Sequence, residues 1–443
     1  MLKTFKLGGV HPPENKISAN AKIEVLPLPK SVFIPVAQHI GAPAVPVVNK
    51  GDVVKVGQII AKSSSFVSTN IHSPVSGKVK KVDLATDSSG YTRQGIFIDV
   101  EGDEWLEEID RDETLKTDFD FDGKTIIQKI QDAGIVGLGG ATFPTHVKLV
   151  PPVGMKASVL LINGVECEPY LTSDHRLMLE KPDEILVGTK ILMKAMNVEK
   201  AFIGIENNKP DAIQLLSSKT SKYPGIAIVP LKVKYPQGGE KQLIKAVTGK
   251  EVPSGGLPIA VGAVVSNVGT AFAVYEAVQK NKPLFERVVT VTGKGVKKPS
   301  NFKVRMGTPT TELIEAAGGL PENTGKIISG GPMMGKALAT PDVPVTKGTS
   351  GILILSEKEA KRQEYMECIR CGRCVSVCPM GLEPYMLMTV SEKQLFDRAE
   401  NERVLDCIEC GSCSYTCPSS RPLLDYIRYG KGKVGQIVRS RKK

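Results

Sequence analysis

The sequence predicts a multidomain chain of mixed α/β and α+β class, and three observations carry that prediction. At 443 residues the chain is too long for one ordinary core and asks for two to four domains of about 100 to 200 residues each. Its hydrophobic periodicity changes near Gly123, from short Val/Ile stretches between turns to helical patterns interleaved with buried apolar runs. The first pattern belongs to a β-rich unit and the second to an α/β sheet. Eight of the nine cysteines crowd into residues 368–417, which sets a metal-dependent unit apart from the rest.

Residues 1–105 read as β-rich: Val45–Val48, Val53–Val56 and Gln58–Ala61 are separated by Gly, Pro, Asn and Asp turns. Gly51–Ala61 (GDVVKVGQIIA) and His72–Val82 (HSPVSGKVKKV) resemble the barrel-sandwich of biotinyl and lipoyl carrier domains. Such domains present a lysine at a hairpin tip, whereas Phe66–Asn70 offers FVSTN, so a sandwich used for docking is expected. Asp99–Asp122 is an acidic linker that Trp105 can pin to a neighbour. Over 123–284, apolar runs at Ser158–Ile162, Ala201–Ile205, Ile226–Leu231 and Ala263–Val265 alternate with helical patterns and predict a Rossmann-like α/β domain. Residues 285–350 carry VVTVTG and KKPSNFKVRMGTPTTELIEAAGG and read as a β-grasp module of the SLBB type. Gly351–Leu355 leads into charged helix, the cysteine domain covers 358–430, and a basic tail covers 431–443.

The cysteines form two copies of CxxCxxCxxxCP: Cys368, Cys371, Cys374, Cys378 with Pro379, and Cys407, Cys410, Cys413, Cys417 with Pro418. Two-residue gaps wrap three thiolates around one cubane cluster, and the proline turn carries the fourth thiol to another. On that crossed wiring Cys368, Cys371, Cys374 and Cys417 hold one [4Fe-4S] cluster, and Cys407, Cys410, Cys413 and Cys378 hold the second. Zinc would use CxxC pairs separated by a loop and gives no role to the third cysteine or the proline. The helical stretch between the motifs points to a helical two-cluster ferredoxin-type domain.

A glycine loop, GLGGATFPTHVK (Gly137–Lys148), lies between two helical segments. The dinucleotide fingerprint would need glycine at Thr142 and a strand just before the loop, and neither is present. NGVECEP (Asn163–Pro169) follows a buried strand and sets a carboxamide with Glu166 and Glu168 at its carboxyl end, where α/β sheets bind ligands. YPQGGEKQL (Tyr235–Leu243) and SNVGTAF (Ser266–Phe272) each bring glycine to a helix start, the place for a phosphate.

In this order, with the cluster motifs beyond, these segments resemble the NADH-binding flavoprotein subunit of respiratory complex I and related NAD-linked hydrogenases. The resemblance implies that Gly137, Gly139, Gly140, Lys148, Asn163, Tyr235, Gly238, Glu240, Asn267 and Thr270 surround FMN, that Glu166 is cofactor-binding with them, and that Phe143 and Glu168 face NAD(H). Val165 stands where that family has Asp, Leu138 where it has Arg, and Gly239 where it has the first Glu of a GEE triplet. These departures, the second cluster motif and the N-terminal sandwich are similar to the RnfC family of Rnf-type ion-translocating NAD:ferredoxin oxidoreductases, over essentially the whole chain. A soluble NADH-dependent cobalamin reductase of propanediol-utilisation compartments shares the domains and is the alternative. The Rnf resemblance implies two [4Fe-4S] clusters, FMN and NAD(H), with a ferredoxin-like subunit and integral membrane subunits as partners. It also implies a peripheral place on the cytoplasmic side of the membrane.

The formal charge of +11 raises nucleic acid as a partner, but the excess is local. Residues 421–443 hold eight Lys or Arg against Asp425 alone, and no basic stripe is interleaved with aromatics elsewhere, so no nucleic acid is expected. A basic end suits an anionic membrane surface or acidic partner. Met1–Val10 lacks the apolar region of a signal peptide. Val252–Tyr275 is uncharged but broken by glycine and proline, so it reads as loop, strand and helix start and does not span lipid. The five histidines show no ligand spacing, and Cys167 and the methionines of Ser329–Gly335 read as packing residues.

Overall fold

The computed structural model describes residues 2–87 and 89–441. At its centre lies a four-stranded parallel sheet in the order Ile226–Leu231, Ala201–Glu206, Val159–Asn163, Ala263–Asn267. Each strand is a short apolar run, as a parallel sheet covered on both faces requires; Leu160, Leu161 and Ile162 are fully buried. The chain lays down Val159–Asn163 first, extends through two strands on one side, then returns to its other side with Ala263–Asn267. The carboxyl ends of those two neighbours, Asn163 paired with Asn267, therefore open on the switch-point crevice. Behind them helices Pro182–Met196 and Val268–Lys280 pack closely. A Cβ on Gly188 would stand 1.9 Å from the Ala271 carbonyl oxygen, so only glycine allows that approach.

The next sheet has six strands, in the order Ile23–Val25, Ser300–Arg305, Glu286–Thr292, Gly351–Ser356, Thr324–Ser329, Lys336–Ala337, with helix Thr310–Ala316 against it. Strand pairing crosses two expected boundaries. Gly351–Ser356 does not simply lead out of the module at 350: it pairs in parallel with Glu286–Thr292 and antiparallel with Thr324–Ser329. Its unbroken apolar run is that of a strand buried on both faces. At the other end, the first strand of the expected 1–105 unit makes its pairing outside the sandwich sheets. Ile23–Val25 covers the edge of Ser300–Arg305, where an open row of peptide groups would otherwise invite pairing, and Lys3 and Val10 bridge to Leu231 and Tyr235 of the α/β domain.

The sandwich itself joins a four-stranded sheet (Ser31–Pro35, Thr92–Gly102, Ser76–Thr86, Val53–Val54) to a three-stranded one (Val45–Pro46, Ile59–Lys62, Ile71–His72). Its core is Val32, Ile34, Val54, Ile60, Ile71, Ile96 and Ile98. The segment where a carrier domain shows its lysine is docked within the chain: His146 Nε2 lies 3.2 Å from the Phe66 carbonyl oxygen, and buried Lys347 donates to the Asn70 carbonyl at 2.9 Å. Trp105 packs edge-on against Phe285 at 5.2 Å, tying the acidic linker to the β-grasp sheet.

In the cysteine domain, helix Pro384–Glu392 packs on helix Leu423–Arg441. The basic tail expected at 431–443 is thus the second half of a packed helix through Arg441. Val434 is buried, Gly430 sits against Ser391, Lys431 pairs with Glu409, and Arg441 pairs with Glu400 and Asp397. Its last two residues, Lys442 and Lys443, lie outside the described residues. Among the described residues no helix is long and apolar enough to cross a membrane.

Candidate functional site

The crevice is built from the two strand ends and the glycine loop. Val136 bridges to Pro144, and Gly137 N donates to the Phe143 carbonyl at 2.9 Å, so the loop folds back on itself and holds half-buried Phe143 at its base. Leu138 N donates to Thr270 Oγ1 at 2.9 Å, fastening the loop to the first turn of the helix after Asn267. Gly139 is glycine because a Cβ would come within 2.6 Å of the Asn267 amide, whereas a Cβ on Gly140 would meet nothing within 4 Å. That open face leaves room for a flat group beside the backbone.

Asn267 caps its helix by accepting from Gly269 N at 2.8 Å, and its Nδ2 donates to Asp174 Oδ2 at 2.7 Å. Burial and the neighbouring Glu166 raise Asp174 to about 7, with the Asn267 bond opposing. Asn163 Nδ2 donates to the Gly238 carbonyl at 2.8 Å, which joins the first strand end to the Tyr235–Leu243 loop. Lys148 and Glu240 form a partly exposed ion pair at 2.5 Å at the rim. The loop, Lys148, Asn163, Gly238, Glu240, Asn267 and Thr270 are therefore gathered around one crevice. An open glycine face, a helix N-terminus and a lysine are the donor set that a flavin ring and its phosphate need, so the residues fit FMN.

Glu166 and Glu168 part company. Glu166 accepts from Asp174 N at 2.7 Å and His175 N at 3.2 Å, so its carboxylate is committed to the start of helix Ser173–Glu180. Glu168 turns toward the β-grasp module: it accepts from Met334 N at 2.7 Å and Met333 N at 3.1 Å, with Tyr235 Oη 3.4 Å away. Burial lifts it to about 7, against the pull of the two amides. Tyr235 in turn donates to the Cys410 carbonyl at 2.8 Å. One buried phenol thus touches both a crevice carboxylate and a cysteine loop.

The thiols gather in two sets that cross the motifs. Cys407, Cys410 and Cys413 have Cys378 among their electrostatic neighbours, while Cys374 has Cys417 and Cys368. Cys378, Cys407, Cys410 and Cys413 also line one small cavity. Among the described residues no three His, Cys, Asp or Glu side chains converge as a single ion's ligands would; a four-iron cage takes one thiolate at each corner and needs them further apart. Burial pushes Cys407 up to about 11 and Cys413 to about 12, so cluster assembly there must release protons. Cys368 and Cys371 are exposed. The start of the first motif faces solvent, whereas Cys378, Cys410 and Cys413 are buried.

Three contributors were missed in the sequence. Lys16 reaches three carbonyls, of Glu166, Glu168 and Leu171, at 2.7, 2.9 and 2.7 Å, and burial lowers it to about 8. The backbone of Met333 and Met334 matters more than their side chains. Asp174 orients Asn267. Only Asp174 had a local signal, a carboxylate shortly past the NGVECEP segment.

Four family models match in chain order: an RnfC barrel sandwich hybrid domain over residues 3–103, a Nuo51 FMN-binding domain over 130–276, an SLBB domain over 288–337 and a 4Fe-4S dicluster domain over 360–418. An FMN-binding domain joined to a dicluster domain defines a flavin and iron-sulfur oxidoreductase component. The chain is 51% identical, over 97% of its length and 94% of the relative's, to the C subunit of the proton-translocating ferredoxin:NAD(+) oxidoreductase complex of Clostridium ljungdahlii. It is 45% identical to the Na(+)-translocating counterpart of Acetobacterium woodii, over 97% of both chains. To the C subunit of the ion-translocating oxidoreductase complex of Rhodobacter capsulatus it is 42% identical, over 98% of this chain and 84% of that one. The chain belongs to the RnfC family, and the membrane-complex reading is favoured over the cobalamin reductase.

Proposed function

We propose that this chain exchanges hydride with NAD(H) at the crevice and passes single electrons through two [4Fe-4S] clusters, as a subunit of an ion-translocating ferredoxin:NAD oxidoreductase complex. FMN, when bound, supplies the conversion between paired and single electrons. Gly140 would give its ring a bare backbone surface, with Gly137 and Gly139 letting the loop fold against Phe143 and Asn267. Lys148, Thr270 and the helix that Asn267 caps would receive its phosphate, with Glu240 beside Lys148 at the rim, and Asn163 and Gly238 would line the strand-end side. Phe143 and Glu168 lie toward the nicotinamide nucleotide.

The observation that carries this reading is the Tyr235 contact, which joins the crevice loop to Cys410 at 2.8 Å and to Glu168 at 3.4 Å. It supports taking the Cys378, Cys407, Cys410, Cys413 set as the inner one, next to the flavin crevice. The Cys368, Cys371, Cys374, Cys417 set, with two exposed ligands, becomes the outer one that trades electrons with a ferredoxin-like subunit. Integral membrane subunits would hold the chain peripherally on the cytoplasmic side.

Anaerobic reconstitution followed by metal and sulfide analysis tests the cofactor set, with about eight iron and eight sulfide per chain expected for two cubanes. Added NADH should bleach the flavin and then reduce clusters. Stoichiometric zinc with negligible iron would remove the cluster assignment. Protein that holds FMN yet neither bleaches with NADH nor passes flavin electrons to NAD would remove the NAD assignment.

A further inference from the structure

The N-terminal segment crosses the gap between the α/β domain and the inner cysteine set. Lys3 bridges to Leu231 and Val10 to Tyr235 on the α/β side. Between these anchors Gly9 N donates to the Val377 carbonyl at 2.8 Å. Gly8, at φ +65°, lies so close to the next peptide that a Cβ would stand 2.6 Å from the Val377 oxygen and from the carbonyl carbon and oxygen of Cys378. All three are backbone atoms, which cannot swing aside as a side chain can. From the other side, Gln242, buried on helix Glu240–Thr248, donates Nε2 to the Pro379 carbonyl at 3.3 Å. The peptide run 377–379 is thus gripped by two parts of the chain that contain none of the cluster ligands. Cys378 is the ligand that the first motif sends across to the inner set; its own amide donates to the Val375 carbonyl at 3.1 Å and its Sγ accepts from Leu382 N at 3.4 Å, and the grip at 377–379 adds an outside hold to these local bonds.

We propose that Gly8 and Gln242 are positioning residues for the crossing ligand Cys378, and that the N-terminal strap and helix Glu240–Thr248 together set the inner cluster against the flavin crevice. This rests on the two-cluster reading above. Groups behind a metal ligand fix its direction and tune the metal, and disturbing them commonly costs about 10- to 100-fold in affinity or activity. The strap acts through bulk excluded at Gly8, and helix Glu240–Thr248 acts through Gln242 Nε2, which donates to the Pro379 carbonyl and lies 3.3 Å from Met380 Sδ, without touching the reacting groups.

The test uses full-length, anaerobically reconstituted wild type and three variants: Gly8→Ala, Gln242→Leu and Gly249→Ala. Gly249 also has positive φ, +75°, but a Cβ there meets nothing within 4 Å, so this variant carries the backbone strain without the collision. Iron content, the EPR spectrum and midpoint potential of each cluster, and the rate of cluster reduction after flavin bleaching are measured. Gly8→Ala should change the spectrum and potential of one cluster only and slow its reduction about tenfold or more, with flavin bleaching by NADH unchanged. Gln242→Leu should shift the same cluster in a smaller degree, and Gly249→Ala should match wild type. Native cluster spectra and rates in both Gly8→Ala and Gln242→Leu overturn the proposal, as does equal disturbance of both clusters, which would make the strap a general fold element. If Gly8→Ala does not fold, Gln242→Leu alone decides in the same way. A wild type that assembles no clusters overturns the two-cluster reading itself, and the strap inference with it.

Discussion

The two cysteine motifs have the same spacing and the same backbone, yet they sit in opposite surroundings. Arg370 and Glu409 occupy matching positions at φ +55° and +57°, and each is followed two residues later by a glycine at φ +72° or +78°. In the first motif Ile369, Cys368 and Cys371 are exposed; in the second Cys410 and Cys413 are buried and Tyr235 closes over the loop. Spacing therefore decides what is bound, and packing decides what the bound group can reach. A cluster wrapped by protein next to the crevice can take electrons from it, and one with ligands at the surface can meet another protein.

The largest expected effect comes from removing one ligand from each set. Cys410→Ser should lower iron from about eight to about four per chain, and NADH should then reduce the flavin but not the remaining cluster. Cys368→Ser should lose iron equally but leave the inner cluster reducible by NADH, while electron delivery to an external acceptor fails. Iron analysis with freeze-quench EPR separates the two patterns. If the Cys410 variant still reduces its remaining cluster at the wild-type rate, the inner and outer labels must be exchanged.

This contrast shows how far the sequence could be read. Both cluster sets were legible because each motif spaces three thiols by two-residue gaps, and the crossing follows from the proline turn. The crevice was legible in outline, since Asn163 and Asn267 close apolar strand runs. What bends the reading is long-range. Lys16 meets carbonyls some 150 residues away, and the amides of Met333 and Met334 fix Glu168 through backbone groups that no residue type announces. Glu166 looked like a partner of Glu168, but it is bound to the start of a helix instead, on amides that lie eight and nine residues ahead of it. The C-terminal charge hid an apolar stripe, Leu423, Leu424, Ile427 and Val434, whose helical spacing outweighs the basic composition.

Glu168 offers a second, smaller probe of the inner side. Burial raises it from 4.5 to about 7, so between these values the folded protein keeps a proton that the unfolded chain releases. The stability it contributes is full below about pH 4.5, is lost as pH rises to about 7, and is level above that. The swing has an upper bound of about 3.5 kcal/mol, from roughly 1.4 kcal/mol for each pKa unit. Glu168→Gln cannot titrate, so its unfolding free energy should fall less between pH 5 and 7 than that of wild type in urea titrations. Parallel pH profiles for the two proteins would place the carboxylate in solvent, against the buried site between crevice and inner loop.

The smallest effect, and the sharpest use of the matched positions, is charge removal. Glu409 pairs with Arg428 at 3.1 Å and Lys431 at 2.9 Å, and is about a third exposed; Arg370, by contrast, lies on the open first motif. Glu409→Gln removes one charged partner of the C-terminal helix, and because the pair is partly solvated the loss should be about 1 kcal/mol or less. The same substitution takes a negative charge from beside the inner cluster and should raise its midpoint potential, since net charge and solvent exposure both set cluster potentials. Arg370→Gln removes one positive charge beside the outer cluster and should lower its potential, but by less, because water and salt screen an exposed charge more than a half-buried one. Its larger consequence should be on encounter with a charged partner protein, as a salt-dependent change in association rate. Redox titration of both variants at low and high salt measures the two shifts. Equal shifts at the two positions would mean that burial does not separate the motifs, and the division into inner and outer clusters would then rest on the Tyr235 contact alone.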